Sequence, residues 1–371
     1  MDEARRAKLR DWLRGATGAA DLELGAMALL SGGAIQQNWA LDVTLAGRDE
    51  AWVLRTDNAA TLAVSLPRTA EFALLKAAFG AGVTVPEPLY LCEDTAILGA
   101  PFFIMRRVQG IAAGHRVVKS ERLCGGRDEA VRALGRELAR IHRITPPRAD
   151  LAFLGAPPAD ACIAFVAEQR RALDRQALPR PVLEWGLRHL ERTAPPPLPP
   201  VLNHNDFRTG NLMLAEAGIT AVLDWEFAAW GEPHADLGWF CAKCWRFGSS
   251  YEAGVTAVLD WEFAAWGEAH ADLGWFCAKC WRFGSAHEAG GIGGRDAFYA
   301  GYAAEAGHGV DTARVIWWEL AAHIRWAVIA IDQAARHLSG KETSLELALT
   351  GHIVPELEWE ILNMTGVPYA A

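Results

Sequence analysis

The chain has 371 residues, 51% of them hydrophobic and 22% charged, with a formal net charge of −9. This is the balance of a packed globular protein large enough for one big domain or two lobes, and it excludes a fibrous or disordered chain. Mild acidity argues against nucleic acid as the main partner, and no uninterrupted apolar run is long enough to span a bilayer.

The opening stretch MDEARRAKLRDWLRG is charged and amphipathic and lacks the apolar core of a signal peptide. With seven cysteines, an odd number, the expectation is reduced thiols in the cytoplasm, with no membrane and no nucleic acid as partner. GAMALLSGG, NWALDVTLAG and EAWVLRTD then read as strands separated by turns at Gly32-Gly33 and at Gly47. A helix follows in PRTAEFALLKAAFGAG, opened by Pro67 and closed near Gly80 and Gly82. PEPLYLCED and PFFIMRRVQG complete a five-stranded pattern around one helix, which predicts an antiparallel sheet in a small α+β lobe.

After Gly110 the pattern turns helical. Val131, Leu134, Leu138 and Ile141 recur at three- and four-residue steps, and further helices are expected in ACIAFVAEQRRALDRQ, TARVIWWELAAHIRWAVIAIDQAARHL and SLELALTGHIVPELEWEIL. TAPPPLPP is a stiff connection. Trp317, Trp318 and Trp326 are expected in the core, because aromatic residues at helical spacing pack.

The main chemical signal lies in PVLNHNDFRTGNLMLAEAGITAVLDWE. His204, Asp206, Arg208, Asn211 and Asp224 fall in the order H-x-D-x-R-x-x-N and then D, and NLML–AEAG–ITAVLDW reads as a hairpin that returns Asp224 beside Asn211. Two oxygen ligands near a separate carboxylate base are what Mg²⁺-dependent phosphoryl transfer requires.

These residues resemble the aminoglycoside phosphotransferase/choline kinase-like family, relatives of the protein kinases. The pattern H-G-D-x-x-x-x-N, then D-x-E, G-D-P and D-L-A, is represented by His204-Asn-Asp206, Asn211, Asp224-Trp-Glu226, Gly231-Glu-Pro233 and Asp236-Leu-Gly238. WRFG, GIGGRDAFYAGY, RWAV and QAARHLSG are similar to the branch related to the kinase-like domains fused to some acyl-CoA dehydrogenases.

The resemblance implies an α+β, bilobal protein-kinase-like fold with a small antiparallel-sheet N-lobe for ATP at 1–104 and a mainly helical catalytic and substrate lobe at 105–371. It implies Asp206 as the base, Arg208 toward the γ-phosphate, Asn211 and Asp224 as Mg²⁺ ligands, and Asp236 and His204 as scaffold. In the N-lobe it implies Gly32 and Gly33 over the phosphates, Arg55 at the α/β-phosphates with Glu71 as its ion-pair partner, and the backbone near Met105 and Arg107 at adenine. Asn205 departs from the glycine of the family pattern, and Arg55 from the lysine of protein kinases. The activity implied is transfer of the γ-phosphate of ATP to a hydroxyl of a small molecule, whether an aminoglycoside, choline, a sugar or a hydroxyacyl-CoA. A nucleotide-binding pseudokinase or interaction module is the second reading.

Glu216–Tyr251 and Glu252–His287 are adjacent 36-residue units that differ only at Ile219/Val255, Pro233/Ala269, Ser250/Ala286 and Tyr251/His287. Repeat architectures need about three units to bury a continuous core, so this pair reads as a tandem duplication within a fold that needs one copy. The pairs Cys241/Cys244 and Cys277/Cys280 spell CxxC…CxxC, yet the second exists as a copy of the first, and buried helical cysteines outweigh zinc. Asp224 lies 13 residues after Asn211 and its counterpart Asp260 lies 49 after it. Loop closure alone favours Asp224 by about 1 kcal/mol. The chain is expected to leave the first copy near the junction at 248–254, with Trp275, Phe276, Trp281 and Phe283 seeking cover on the C-lobe or in a homodimer contact.

Overall fold

The computed structural model describes residues 1–30, 36–57, 66–176, 178–225, 228–232, 236, 277, 285–340 and 343–366. Its N-terminal part is a five-stranded antiparallel sheet of β1 (Glu23–Leu30), β2 (Gln36–Leu45), β3 (Arg48–Asp57), β4 (Pro88–Cys92) and β5 (Phe102–Arg106), in the spatial order β1-β2-β3-β5-β4. Ala46 and Gly47, with φ of 50° and 73°, form the two-residue turn between β2 and β3, where a tight hairpin needs left-handed backbone at both positions.

Residues 52–56 of β3 are all buried, because both faces of the sheet are covered. Trp52 and Leu54 share a cluster with Phe102, Ile104 and with Leu9 and Leu13 of α1 (Glu3–Thr17), the opening stretch that the sequence marked only as amphipathic. The Asp2 carboxylate caps this helix by accepting from Arg5 N at 2.8 Å. Successive strand residues face opposite ways, so Val53 and Arg55 look to the other side, where α2 (Arg68–Gly80) packs Phe72 against Phe103.

The C-terminal part is mainly helical. The single turn α3 (Thr95–Leu98) belongs to the N-terminal part, between β4 and β5; in the C-terminal part the single turn α4 (Gly114–Val117) precedes α5 (Arg127–His142), α6 (Ala161–Asp174) and α7 (Pro181–Arg192). Short strands β6 (Val201–Asn203), β7 (Leu212–Ala215), β8 (Gly218–Val222) and β9 (Ala229–Gly231) pair as β6 with β9 and β7 with β8. Then come α8 (Arg295–Ala306), α9 (Thr312–Leu338), α10 (Leu345–Thr350) and α11 (Val354–Met364). Trp317, Trp318 and Trp326 are buried on α9, and Trp317 Nε1 donates to Leu190 O at 3.1 Å. The single helix expected over 344–362 is broken at 351–353, where Pro355 opens the second piece; its ring and missing N–H cannot sit inside a continuous helix. No helix among the described residues is long and apolar enough to cross a membrane.

Helices α5 and α8 approach closely because glycines face each other. A Cβ on Gly135 would lie 2.7 Å from Tyr302 N, and one on Gly301 would lie 2.6 Å from Arg132 Cα.

Of the first 36-residue unit, residues 216–225, 228–232 and Asp236 are described; of the second, Cys277 and 285–287 are. The junction at 248–254, Asp260, the tryptophans and phenylalanines of the second unit and the other three cysteines of the doubled CxxC lie outside the described residues. Asp236 is buried beneath the 204–211 loop, and Cys277 is buried beside Tyr299 Oη at 3.4 Å. Within either unit these two positions are 5 apart, whereas Asp236 and Cys277 are 41 apart, one unit length of 36 more. The first unit thus supplies the aspartate and the second the cysteine. Deleting 237–272 restores the spacing of a single unit while keeping both buried side chains. This shortened chain is expected to melt at the same temperature as the parent or higher, because less chain entropy is lost on closure. A markedly lower melting temperature in calorimetry would show that both units are needed.

Candidate active site

The segment between β6 and β7, residues 204–211, is shaped by buried hydrogen bonds. Asn205 has φ 61°, the left-handed conformation that asparagine tolerates better than most residues, which accounts for asparagine where the family pattern has glycine. The Asp236 carboxylate accepts from the backbone N–H groups of His204 and Asn205, as expected for a scaffold aspartate. His204 Nε2–H donates to Leu223 O at 2.9 Å, which leaves Nδ1 to accept from Asp206 N at 3.3 Å. His204 therefore ties the loop to the residue before Asp224, and burial lowers its pKa to about 3, so it stays neutral.

Asp206 accepts from Arg208 Nε at 3.0 and 3.1 Å on its two oxygens, and from Asn211 Nδ2 at 2.5 Å. Gly210, with φ 132°, lies under Arg208, whose Nη1 would be 2.9 Å from a Cβ there. Asn211 Nδ2 also donates to Asp206 O at 3.0 Å, while Asn211 Oδ1 is buried and accepts from no group among the described residues. The β7–β8 hairpin pairs Leu212 with Val222, and Leu223 N donates to Asn211 O at 3.0 Å, so Asp224 follows directly beside Asn211. Asp224 itself is left-handed, with φ 72°.

Arg55 reaches this point from β3. Its Nε lies 2.8 Å from Glu71 Oε1, Nη1 donates to Asn38 Oδ1 at 3.5 Å, and Nη2 pairs with Asp224 Oδ1. Arg68, one turn before Glu71 on α2, holds Glu71 Oε2 through Nη1 and Asp57 Oδ1 through Nε at 2.9 Å. The result is a buried line of alternating charge, Asp57–Arg68–Glu71–Arg55–Asp224. Burial pushes the Asp57 carboxyl up, and Arg68 pulls it back.

A cleft opens beside this line, walled by Val53, Met105, Val108, Met213 and Leu223, with Arg55, Glu71 and Asp224 at its polar end. Met105 and Arg107 line it, and the Arg107 N–H, donating to Ala51 O at 2.9 Å, extends the sheet ladder. The first N–H beyond the ladder is that of Val108, a residue the sequence reading passed over. Gly32 and Gly33 lie outside the described residues, which resume at β2 with Asn38 opposite Arg55.

Arg325 on α9 was also missed. Burial lowers its pKa to about 10, and Glu168, Asp206 and Asp236 push it up, which places a cation in the field of the proposed base. No cluster of three or more His, Cys, Asp or Glu among the described residues could hold a metal ion; a site of one carboxylate and one amide is the kind Mg²⁺ shares with phosphates.

A family model described as "Phosphotransferase enzyme family" matches residues 27–255. Mouse (Mus musculus) acyl-CoA dehydrogenase family member 10 is 33% identical over 244 residues, 63% of this chain and 22% of that protein. Chicken (Gallus gallus) acyl-CoA dehydrogenase family member 11 is 33% identical over 176 residues, 46% of this chain and 22% of that protein. The match thus spans about a fifth of the length of these curated relatives. Among solved structures, a candidate aminoglycoside phosphotransferase from Ralstonia eutropha JMP134 superposes with a TM-score of 0.69 at 20% identity, covering 97% of this chain and 98% of the other. A choline/ethanolamine kinase family protein from Mesorhizobium loti gives 0.56 at 14%, over 98% and 96% of the two chains. A thermostable mutant of an aminoglycoside phosphotransferase, crystallised with ADP and hygromycin B, gives 0.54 at 14%, over 98% and 100%. At these identities the structures establish a shared fold.

The neutral burial of His204 has a consequence for acid stability. Its folded pKa, about 3, lies below the ordinary value of 6.5, so the unfolded chain binds the proton more tightly. The stability it contributes is complete above about pH 6.5 and is lost as the pH falls toward 3, at up to about 1.4 kcal/mol per pH unit. Urea midpoints measured at pH 7.5, 6 and 5 are expected to fall in that order. A midpoint that stays level over this range would contradict it.

Proposed function

The chain belongs to the phosphotransferase enzyme family, and from that premise we propose that it transfers the γ-phosphate of ATP to a hydroxyl group of a small molecule. The observation that carries the reading is the convergence of Asp206, Asn211 and Asp224. Asn211 spends its amide N–H on Asp206, and its buried Oδ1 beside Asp224 accepts from no group among the described residues. A buried carbonyl oxygen without a donor is costly unless a ligand supplies the missing partner, so these residues fit a hard cation.

Asn211 Oδ1 and the Asp224 carboxylate would hold Mg²⁺, which when bound neutralises charge on phosphate oxygens. The apolar walls of the cleft, Val53, Met105, Val108, Met213 and Leu223, suit a planar base. Arg55 stands at the polar end, where its fork can take phosphate oxygens while Glu71 keeps Nε. Asp206 accepts the acceptor hydroxyl proton as that oxygen attacks the γ-phosphorus, and the bond to the β-phosphate oxygen breaks to leave ADP. Arg208, held to Asp206 through Nε, would bring its guanidinium charge toward the transferred phosphoryl group.

Asp206→Asn is expected to lower kcat by about 10²–10⁴-fold with ATP binding retained. Unchanged turnover in an assay of ADP release, run across hydroxyl compounds beginning with hydroxyacyl-CoA thioesters, would overturn the assignment. Nucleotide binding without turnover of any acceptor would instead favour the nucleotide-binding module, a reading supported by the direct Arg55–Asp224 pair. For the duplicated aspartates, Asp224→Ala is expected to abolish transfer and Asp260→Ala to spare it. Equal losses would mean that the wrong copy has been assigned.

A further inference from the structure

Arg55 and Arg107 both line the cleft, and the backbone N–H of Arg107 is already spent on Ala51. The side chain of Arg107 takes a separate course. Its Nη2 donates to Asp42 Oδ1 at 2.8 Å. Asp42 stands opposite Ala51 in the β2–β3 ladder, and residues facing each other across a ladder project to the same side of the sheet. Ala51, Val53 and Arg55 follow one another at two-residue steps, so Asp42 belongs to the face that carries Val53 and Arg55 over the cleft. The Arg107 guanidinium therefore crosses that face at the end away from Arg55. Ala51 and Arg55 are four residues apart on β3, about 13 Å at the rise of a strand.

The neighbouring arginine is engaged elsewhere. Arg106 is exposed and pairs with Glu87 at 2.8 Å and with Glu50. Arg107 differs in one atom that matters: its Nε is buried and donates to no group among the described residues. Burial keeps water from taking that hydrogen, so the N–H is costly until an occupant of the cleft brings an acceptor to it. The chemistry of that acceptor follows from position. The phosphates of a nucleotide go to the polar end, where Arg55 and Asp224 stand. What reaches Arg107 is the nucleoside, whose ring nitrogens and ribose oxygens are neutral acceptors.

We propose that Arg107 is a nucleoside-binding residue of this site: Nη2 stays on Asp42 while Nε–H donates to a neutral acceptor on the base or the ribose. The proposal rests on nucleotide occupancy of the cleft, as assigned above. It adds a side-chain contact to the free backbone N–H expected at Val108, and it makes Asp42, an exposed residue on another strand, the support that steadies the contact. Arg107 serves binding and not the transfer step, which belongs to the opposite end of the cleft.

Calorimetric titration of the full chain with Mg²⁺ and no acceptor reads the contact directly. Arg107→Ala is expected to weaken ADP binding by about 10- to 30-fold, with tripolyphosphate, which has no nucleoside, bound within about twofold of the parent. Arg107→Lys keeps the charge but lacks Nε–H, and should lose nearly as much. Asp42→Asn, which weakens the support alone, should cost about threefold. In turnover, the KM for ATP should rise in Arg107→Ala with kcat within about threefold. Deoxy analogues of ADP separate the two acceptors: a loss at 2′ or 3′ that Arg107→Ala does not deepen places the bond on the ribose, and undiminished binding of both places it on the base. ADP affinity within about twofold of the parent in Arg107→Ala overturns the proposal, as does an equal loss for tripolyphosphate or full recovery by lysine. A parent chain that binds no ADP would overturn the nucleotide reading and the proposal together, whereas an indifferent Arg107→Ala beside a binding parent overturns the proposal alone.

Discussion

The guanidinium of Arg55 is where the sheet, the helix beside it and the β7–β8 hairpin meet. It is almost wholly buried, and an unpaired charge in that position would cost several kcal/mol. Glu71, Asn38 and Asp224 each take one edge of it, and Arg68 in turn takes the other oxygen of Glu71. A lysine could not reach three partners in one plane, because its ammonium is a point charge on a flexible stem. The departure at this position is thus matched by acceptors disposed for a fork. It also ties the N-terminal sheet to the residue that the hairpin delivers, so the two halves of the molecule share one electrostatic joint.

Two residues near that joint hold backbone conformations that side chains disfavour. Asn205 and Asp224 both have positive φ, at a cost of about 1 kcal/mol each. Each persists because surrounding contacts leave it no alternative: Asp236 grips the backbone at Asn205, and Arg55 grips the side chain of Asp224. The strain sits one residue before Asp206 and on Asp224, where direction matters more than stability.

Much of this could be read from the amino acids. The five-stranded antiparallel sheet, the long α9 and the hairpin that returns Asp224 to Asn211 follow from alternation, periodicity and turn residues, and the structure has them. Even Asn38 was within reach: once Ala46 and Gly47 are the turn, the ladder sets Asn38 opposite Arg55. Arg68 was within reach too, being three residues before Glu71 on one helix face. Other features could not be read locally. Helix α1 hides among charges because only Leu9 and Leu13 are buried on it. His142 and Tyr302 are 160 residues apart in sequence, and their meeting depends on two glycines that show no pattern of their own. The hydrogen bond from Arg107 N to Ala51 O shows that the ladder runs one residue beyond β5, which strand ends do not reveal in sequence.

The separate origins of Asp236 and Cys277 bear on engineering. Cys277 rests against Tyr299, and Asp236 is joined through His142 to Tyr302, one turn along the same helix. A stretch of chain bounded by two buried residues, one against α8 and the other one side chain away from it, is a natural port for cargo. A foreign domain grafted between these two residues would be tethered at both ends, and strain in the graft would be felt first at the aspartate beneath the 204–211 loop.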